Sequence, residues 1–353
     1  MNRTFFEYLG IADMEKIHSQ ILQWILSEDN KSLNSNQKNK LIELFFEIQD
    51  FEITEIITEY EKIDILIKSS NSVICIENKL KSSQHSNQLE KYKKSIKNKY
   101  GEINSHFFFL TLIDENSFDK DWKNISYNKL LSSLLKLEIK ENTDGLILLE
   151  YIKTLENFTK IIKDFIENPA EYKNVFIDGS KTKHQKKKEV KSEKQKFISD
   201  NQLETIFQKM YFKKVAEILN LKDYYIVETH GNAILGVIIE KEILLNGKPF
   251  NFGFDYQKGT FKTMCVSSNY QKSDAKDIPN KIPELFEKIK TEGKYGYQRV
   301  NKPVTKAQYS LTKRKVDTIG ISTSEFADIF SNELKISREI IKNEIIKTIA
   351  NKV

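Results

Sequence analysis

IDILIKSSNSVICIENK, residues 63 to 79, decides how this chain is read. Two apolar runs, Ile63 to Ile67 and Val73 to Ile76, are joined by the polar stretch Ser69-Ser70-Asn71-Ser72, the pattern of an antiparallel hairpin. Each run carries charge where a buried strand ordinarily has none. Asp64 interrupts the first, and the second ends in Glu77-Asn78-Lys79. Alternate strand side chains share a face, so Glu77 and Lys79 point the same way, about 7 Å apart along the strand. The hairpin lays Asp64 beside them.

A carboxylate in a buried strand is costly unless something compensates it, and a divalent cation does so. Two carboxylates, with water and phosphate filling the remaining positions, suit Mg²⁺ or Mn²⁺. In such a site Lys79 orients a water and stabilises charge developing on a phosphodiester. The bland alternative is a surface ion pair between Glu77 and Lys79, worth roughly 0 to 1 kcal/mol. It leaves Asp64 unexplained.

Outward from the hairpin, apolar spacing predicts helices at about 13 to 27 (Met14, Ile17, Ile21, Trp24, Ile25) and 36 to 48. After Lys79 a helix is expected at about 84 to 97. Then come the apolar strand HFFFLTLI (106 to 113), a short strand at 125 to 127, and helices near 128 to 137 and 143 to 168. The order α, α, β, β, β, α, β, β, α, α reads as an α/β sandwich around a mixed sheet.

The net charge of +6 points only weakly to nucleic acid. KTKHQKKKEVKSEKQK, residues 181 to 196, holds eight Lys against two Glu and so carries the whole excess. Arg occurs only at 3, 299, 314 and 338. The Lys-rich segment has one apolar residue, Val190, and reads as an exposed linker or solvated helix. This divides the chain into 1–180, a linker at 181–198, and 199–353. Cys75 and Cys265 stand alone, which argues against a disulfide framework and a thiolate zinc cluster. With no long apolar run and a charged start, the chain reads as a cytoplasmic protein with no membrane partner.

Asp64 followed by Glu77-Asn78-Lys79 resembles the signature of the PD-(D/E)XK nuclease superfamily, an Asp on one strand and (Asp/Glu)-x-Lys on the next. Gln88-x-x-x-Tyr92 resembles the Gln-x-x-x-Tyr helix motif of its RecB-like members, and residues four apart share one helix face. Glu15-x-x-His18-Ser19-x-x-Leu22, then Trp24-Ile25-Leu26, is similar to the N-terminal helix of a bacterial branch that also carries ID-x-L-I, I-E-N-K and Q-L-x-x-Y. The signature's leading Pro is absent; Lys62-Ile63 precedes Asp64. The resemblance covers about residues 10 to 137. The tripeptide alone carries little weight, because Glu138-Ile139-Lys140, Glu189-Val190-Lys191 and Glu292-Gly293-Lys294 match it without the strand context.

This resemblance implies a restriction-endonuclease-like α/β/α core with a C-terminal α+β domain added. It also implies a metal-dependent nuclease acting on nucleic acid, DNA favoured, with a role in bacterial defence against foreign DNA by analogy. Its expected catalytic residues are Asp64, Glu77, Lys79, Gln88 and Tyr92. Metal ligands are Asp64, Glu77 and the Asn78 backbone carbonyl, with Glu15 a further candidate. The alternative is an inactive nuclease-fold module that binds nucleic acid or a protein.

Glu15 is equally a first-turn acid favoured by the helix dipole. His18 reads as a packing or capping residue more readily than as a ligand, and Cys75 as a small buried strand residue. The C-terminal half shows hairpin signals at Gly231-Asn232 and Asn246-Gly247, the strand GTFKTMCV, an amphipathic stretch at 199 to 219, and helices near 281 to 291, 322 to 335 and 337 to 351, with Ser322 and Glu325 as a capping box. Tyr295, Tyr297 and Tyr309 with Arg299 and Arg314 suit either a base-stacking surface or a sheet edge. A homodimer and a protein partner for the C-terminal domain stay open.

Overall fold

The computed structural model describes residues 3–81, 88–101, 103–113, 117, 119–176, 190–245, 247–268, 295–299 and 308–347. The chain divides into two units, Met1–Asp164 with Lys191–Ile206, and Phe165–Val190 with Phe207–Val353. The expected helix near 281 to 291, residues 181–189 of the Lys-rich segment, and residues 300–307 of the Tyr- and Lys-rich segment lie outside the described residues.

The first unit opens with a short helix α1 (Phe5–Tyr8), followed by α2 (Glu15–Leu26) and α3 (Ser35–Phe46). Strands β1 (Glu55–Tyr60), β2 (Ile63–Lys68) and β3 (Ser72–Lys79) form an antiparallel meander. Helix α4 (Gln88–Tyr100) then carries the chain to β4 (Asn104–Thr111), parallel to β3, and β5 (Trp122–Ser126) lies parallel to β4. Helices α5 (Tyr127–Leu134) and α6 (Thr143–Glu167) follow. The sheet order β1-β2-β3-β4-β5 is mixed, as expected from the sequence. Among the described residues up to Glu167, only α1 is added to the predicted order.

Strand β3 is buried from Ser72 through Asn78 because helices cover both faces of the sheet. On one face Val73 and Cys75 pack with Leu89, Tyr92 and Ile96 of α4 and with Phe107, Phe109 and Trp122. On the other, α2 packs against β1, β2 and β3, and Phe46 of α3 meets Phe108 at 4.9 Å. Burying side chains of this size stabilises by about 1.5 to 3 kcal/mol each. The turn between β1 and β2 is a two-residue loop, Glu61-Lys62, bracketed by Tyr60↔Ile63, with both residues at positive φ (48° and 75°). Its geometry is the one that Asn-Gly usually supplies. It delivers Asp64 at the second position of β2.

Within the expected linker, Ser192 caps a helix, α7 (Glu193–Asp200), through Gln195 N–H. Phe197 packs on Phe158 at 5.6 Å, and Lys194 pairs with Asp164 at 2.7 Å. Residues 193 to 198 are therefore a packed helix in the first unit. The apolar Phe197-Ile198 pair, just beyond the lysines, supplies its buried face.

Among the described residues the second unit holds a six-stranded antiparallel sheet, order β10-β11-β9-β8-β7-β6. Its strands are β6 (Tyr224–Thr229), β7 (Asn232–Leu245), β8 (Lys248–Gln257), β9 (Thr260–Ser267), β10 (Gln298–Arg299) and β11 (Gln308–Lys315). The first hairpin loop is His230-Gly231, one residue earlier than the sequence suggests, since Thr229 pairs with Asn232 and both loop residues have positive φ. Helix α8 (Glu204–Ile218) places Phe212 against Tyr256 at 5.6 Å. Helix α9 (Thr323–Glu339) places Phe330 against Phe254 at 5.1 Å, and its Ser322–Glu325 capping box is formed. It continues into a π-helical turn, Ile340–Ile346, where two helices are expected from sequence; no Gly or Pro breaks the run. Tyr297 faces inward, its hydroxyl donating to Glu333 at 2.8 Å, and Arg314 pairs with the same carboxylate at 3.0 Å. Among the described residues no helix is long and apolar enough to cross a membrane.

Candidate active site

Past Ile65↔Ile76 the β2–β3 ladder gives way to a side-chain contact: the Asn78 backbone N–H donates to Asp64 Oδ2 at 2.7 Å. This bond brings Asp64 to the end of β3. In a regular strand the N–H and C=O of one residue point to the same side, so the Asn78 carbonyl faces Asp64 as well. On the α4 face of β3, Lys79 Nζ lies 2.7 Å from Glu77 Oε1. Gln88, at the start of α4, donates from Nε2 to the same Glu77 oxygen at 2.9 Å and to the Tyr92 hydroxyl oxygen at 2.6 Å. Glu77 is 1 % exposed. The expected set of Asp64, Glu77, Lys79, Gln88 and Tyr92 is thus brought together at one strand end.

The electrostatics are those of a crowded acidic pocket. Burial pushes the Asp64 carboxyl above its usual range, with Glu15 and Glu59 adding to the effect. Burial, and then the charge of Asp64, raise Glu77 to about 7, although Lys79 opposes the shift. Burial pulls Lys79 down, yet Glu77 and Asp64 outweigh it and the ammonium ends above its ordinary value. Lys79 therefore stays charged at neutral pH while the acids resist ionising.

Two acceptors remain. Glu77 Oε2 and Gln88 Oε1 are buried with no hydrogen-bond partner among the described residues. Leaving such an atom dry costs about 1 to 3 kcal/mol. Among the described residues no three His, Cys, Asp or Glu side chains form a metal cage. A buried carboxylate oxygen short of a partner, beside a second carboxylate and a backbone carbonyl, fits a hard cation that keeps several waters, as Mg²⁺ does.

Glu15 is half-buried, and its Oε1 accepts from the backbone N–H groups of Leu80 (2.9 Å) and Lys81 (3.0 Å). His18 lies inside the fold, its Nε2 bonded to the Ala12 carbonyl at 2.8 Å and its Nδ1 to the Tyr151 hydroxyl at 2.9 Å. Burial lowers its pKa to about 4, so it is neutral and acts as a packing residue. Cys75 is fully buried and unpaired, and burial raises its thiol well above the ordinary value.

Sequence reading missed the partners of Asn78. On the face opposite Glu77, its Nδ2 donates to the Glu15 carbonyl (2.9 Å) and to Ser19 Oγ (3.1 Å), and its Oδ1 accepts from the Tyr127 hydroxyl at 2.7 Å. Also unforeseen is the ion pair of Lys81 with the buried Asp13. The only local signal is Ser19, one turn after Glu15 on the same helix face; Tyr127 is 49 residues from Asn78 and leaves none. A cleft of about 1090 Å³ between α3 and residues 48–56 contains none of these groups.

Residues 3–178 match the family model described as the PD-(D/E)XK nuclease superfamily. No curated protein and no solved structure matches the chain. The five-stranded mixed sheet and its flanking helices agree with the restriction-endonuclease-like core of that superfamily, whose members generally use divalent metals. Through residues 3–178 this chain belongs to the PD-(D/E)XK nuclease superfamily.

Proposed function

We propose that this protein is a Mg²⁺-dependent deoxyribonuclease that hydrolyses phosphodiester bonds in DNA, in the cytoplasm, in defence against foreign DNA. The observation that carries the reading is the pairing of Asp64 and Glu77 at one strand end, with Glu77 Oε2 buried and short of a partner and Lys79 beside it. Asp64, Glu77 and the Asn78 carbonyl would hold the ion, which when bound polarises the scissile phosphate and lowers the pKa of a water.

The side chains divide the remaining work. Gln88 Nε2 and Lys79 Nζ both hold Glu77 Oε1, which would leave Oε2 to serve as the ligand. Lys79 keeps its charge and is placed to orient the attacking water and to stabilise the negative charge that grows on the phosphate oxygens. Tyr92 fixes the Gln88 amide through its hydroxyl, while its ring packs in the core. Of the expected C-terminal domain 199–353, we assign the part that lies in the second unit, residues 207–353, to recognition of substrate or partner.

The test is cleavage of circular and linear DNA, and of RNA, with Mg²⁺ or Mn²⁺, by the wild type and by Asp64→Asn and Glu77→Gln. Each substitution is expected to abolish cleavage while the folded signal persists. Cleavage at the wild-type rate by either variant overturns the assignment, and binding without cleavage by the wild type makes the chain an inactive nuclease-fold module.

A further inference from the structure

We propose that Glu15 is a positioning residue: its carboxylate clamps the chain where it leaves β3 and thereby holds Lys79 in place, instead of ligating the metal. The inference rests on the nuclease reading above and assigns a task within that site. Strand β3 ends at Lys79, so the N–H groups of Leu80 and Lys81 have left the strand, and Leu80 is fully buried. A buried N–H without an acceptor costs about 1 to 3 kcal/mol. Glu15 Oε1 takes both, at 2.9 and 3.0 Å, as charge-assisted bonds.

Three further contacts tie the same two segments together. The Asn78 amide holds the Glu15 backbone carbonyl and Ser19 Oγ from the other side of the strand. Asp13, two residues before Glu15, pairs with the Lys81 ammonium. Asp13, Glu15 and Ser19, at the start of α2, thus grip the chain on both sides of Lys79. Lys79 sits between two fixed points, with its ammonium 2.7 Å from Glu77 Oε1. A displacement of about 1 Å at a catalytic group costs on the order of 10²-fold in rate.

A glutamine at position 15 still offers a carbonyl oxygen to both amides but is a poor replacement for an anionic metal ligand. The clamp and ligand roles therefore part at Glu15→Gln. Wild type, Glu15→Gln and Glu15→Ala are compared in three measurements: kcat on linear DNA, Mn²⁺ affinity by calorimetry, and hydrogen exchange of peptides spanning Leu80 and Lys81. The clamp predicts a loss of roughly 10²-fold in kcat for Glu15→Ala and less than about fivefold for Glu15→Gln. Mn²⁺ affinity should stay within about threefold in both, and the two amides should lose protection in Glu15→Ala alone. Should Glu15→Ala fail to fold, Glu15→Asp, one methylene too short to span both amides, takes its place.

Equal losses of kcat in Gln and Ala, accompanied by weakened Mn²⁺ binding, overturn the proposal in favour of a ligand. Unchanged exchange in the Ala variant overturns it as well. If the wild type cleaves nothing, the nuclease reading falls, and exchange alone decides the clamp: protection kept in Gln and lost in Ala upholds it, any other pattern overturns it.

Discussion

His18 makes the stability of the first unit sensitive to mild acid. In the unfolded chain its imidazole titrates at 6.5, and in the fold burial lowers that to about 4. The folded state thus refuses a proton that the unfolded state accepts. Its contribution is complete above about pH 6.5 and is lost as the pH falls toward 4. The full linkage is about 3 kcal/mol, of which about 2 kcal/mol is lost between about pH 7 and pH 4.5. That is a large share of the 5 to 15 kcal/mol typical of a domain. The chain's two tryptophans, Trp24 on α2 and Trp122 on β5, both lie in the first unit, so tryptophan fluorescence during urea unfolding follows that unit. The comparison is wild type against His18→Gln, in chelator, at several pH values. His18→Gln should be less stable at pH 7, having lost fitted contacts with Tyr151 and Tyr127, but its stability should fall less on acidification by about 2 kcal/mol. Carboxylates titrating in the same window are common to both proteins and cancel. Parallel decline of the two would refute the reasoning, because it would mean that His18 is protonated in the fold at no cost.

Lys79→Ala is expected to keep Mn²⁺ affinity and to lose roughly 10²-fold or more in turnover, the scale of a missing preorganised electrostatic group; a collapse of metal affinity in calorimetry would instead make Lys79 an organiser of the ligands. Tyr92→Phe keeps the ring in the core but removes the oxygen that accepts from Gln88 Nε2, so thermal unfolding should change by about 1 kcal/mol or less while kcat falls several-fold. Without metal, Glu77→Gln should be at least as stable as wild type at pH 8, since it removes a carboxylate that burial and Asp64 hold up at about 7; urea unfolding in chelator that shows a less stable variant contradicts this.

Much of the site is legible in one dimension because its chemistry is carried by short-range periodicity. Strand alternation puts Glu77 and Lys79 on one face, a four-residue helical step puts Gln88 and Tyr92 on another, and the polar turn between two apolar runs brings Asp64 alongside. Those spacings hold in the fold, as does the order of elements around them and the capping box at Ser322. What could not be read is the set of contacts made when separate elements meet. The Glu61-Lys62 turn adopts a backbone usually marked by Asn-Gly, and so carries no local sign. Residues 193 to 198 look like the end of a lysine-rich linker until Phe197 finds Phe158. Glu15 reads equally well as a helix-terminal acid or as a metal ligand, because both need only a carboxylate near the start of α2. The amides of Leu80 and Lys81 distinguish these uses, and they lie 65 and 66 residues away. Local sequence thus determined which groups are present and which face each occupies; tertiary packing alone decided which oxygen meets which proton, because that depends on how the faces of distant elements are brought together.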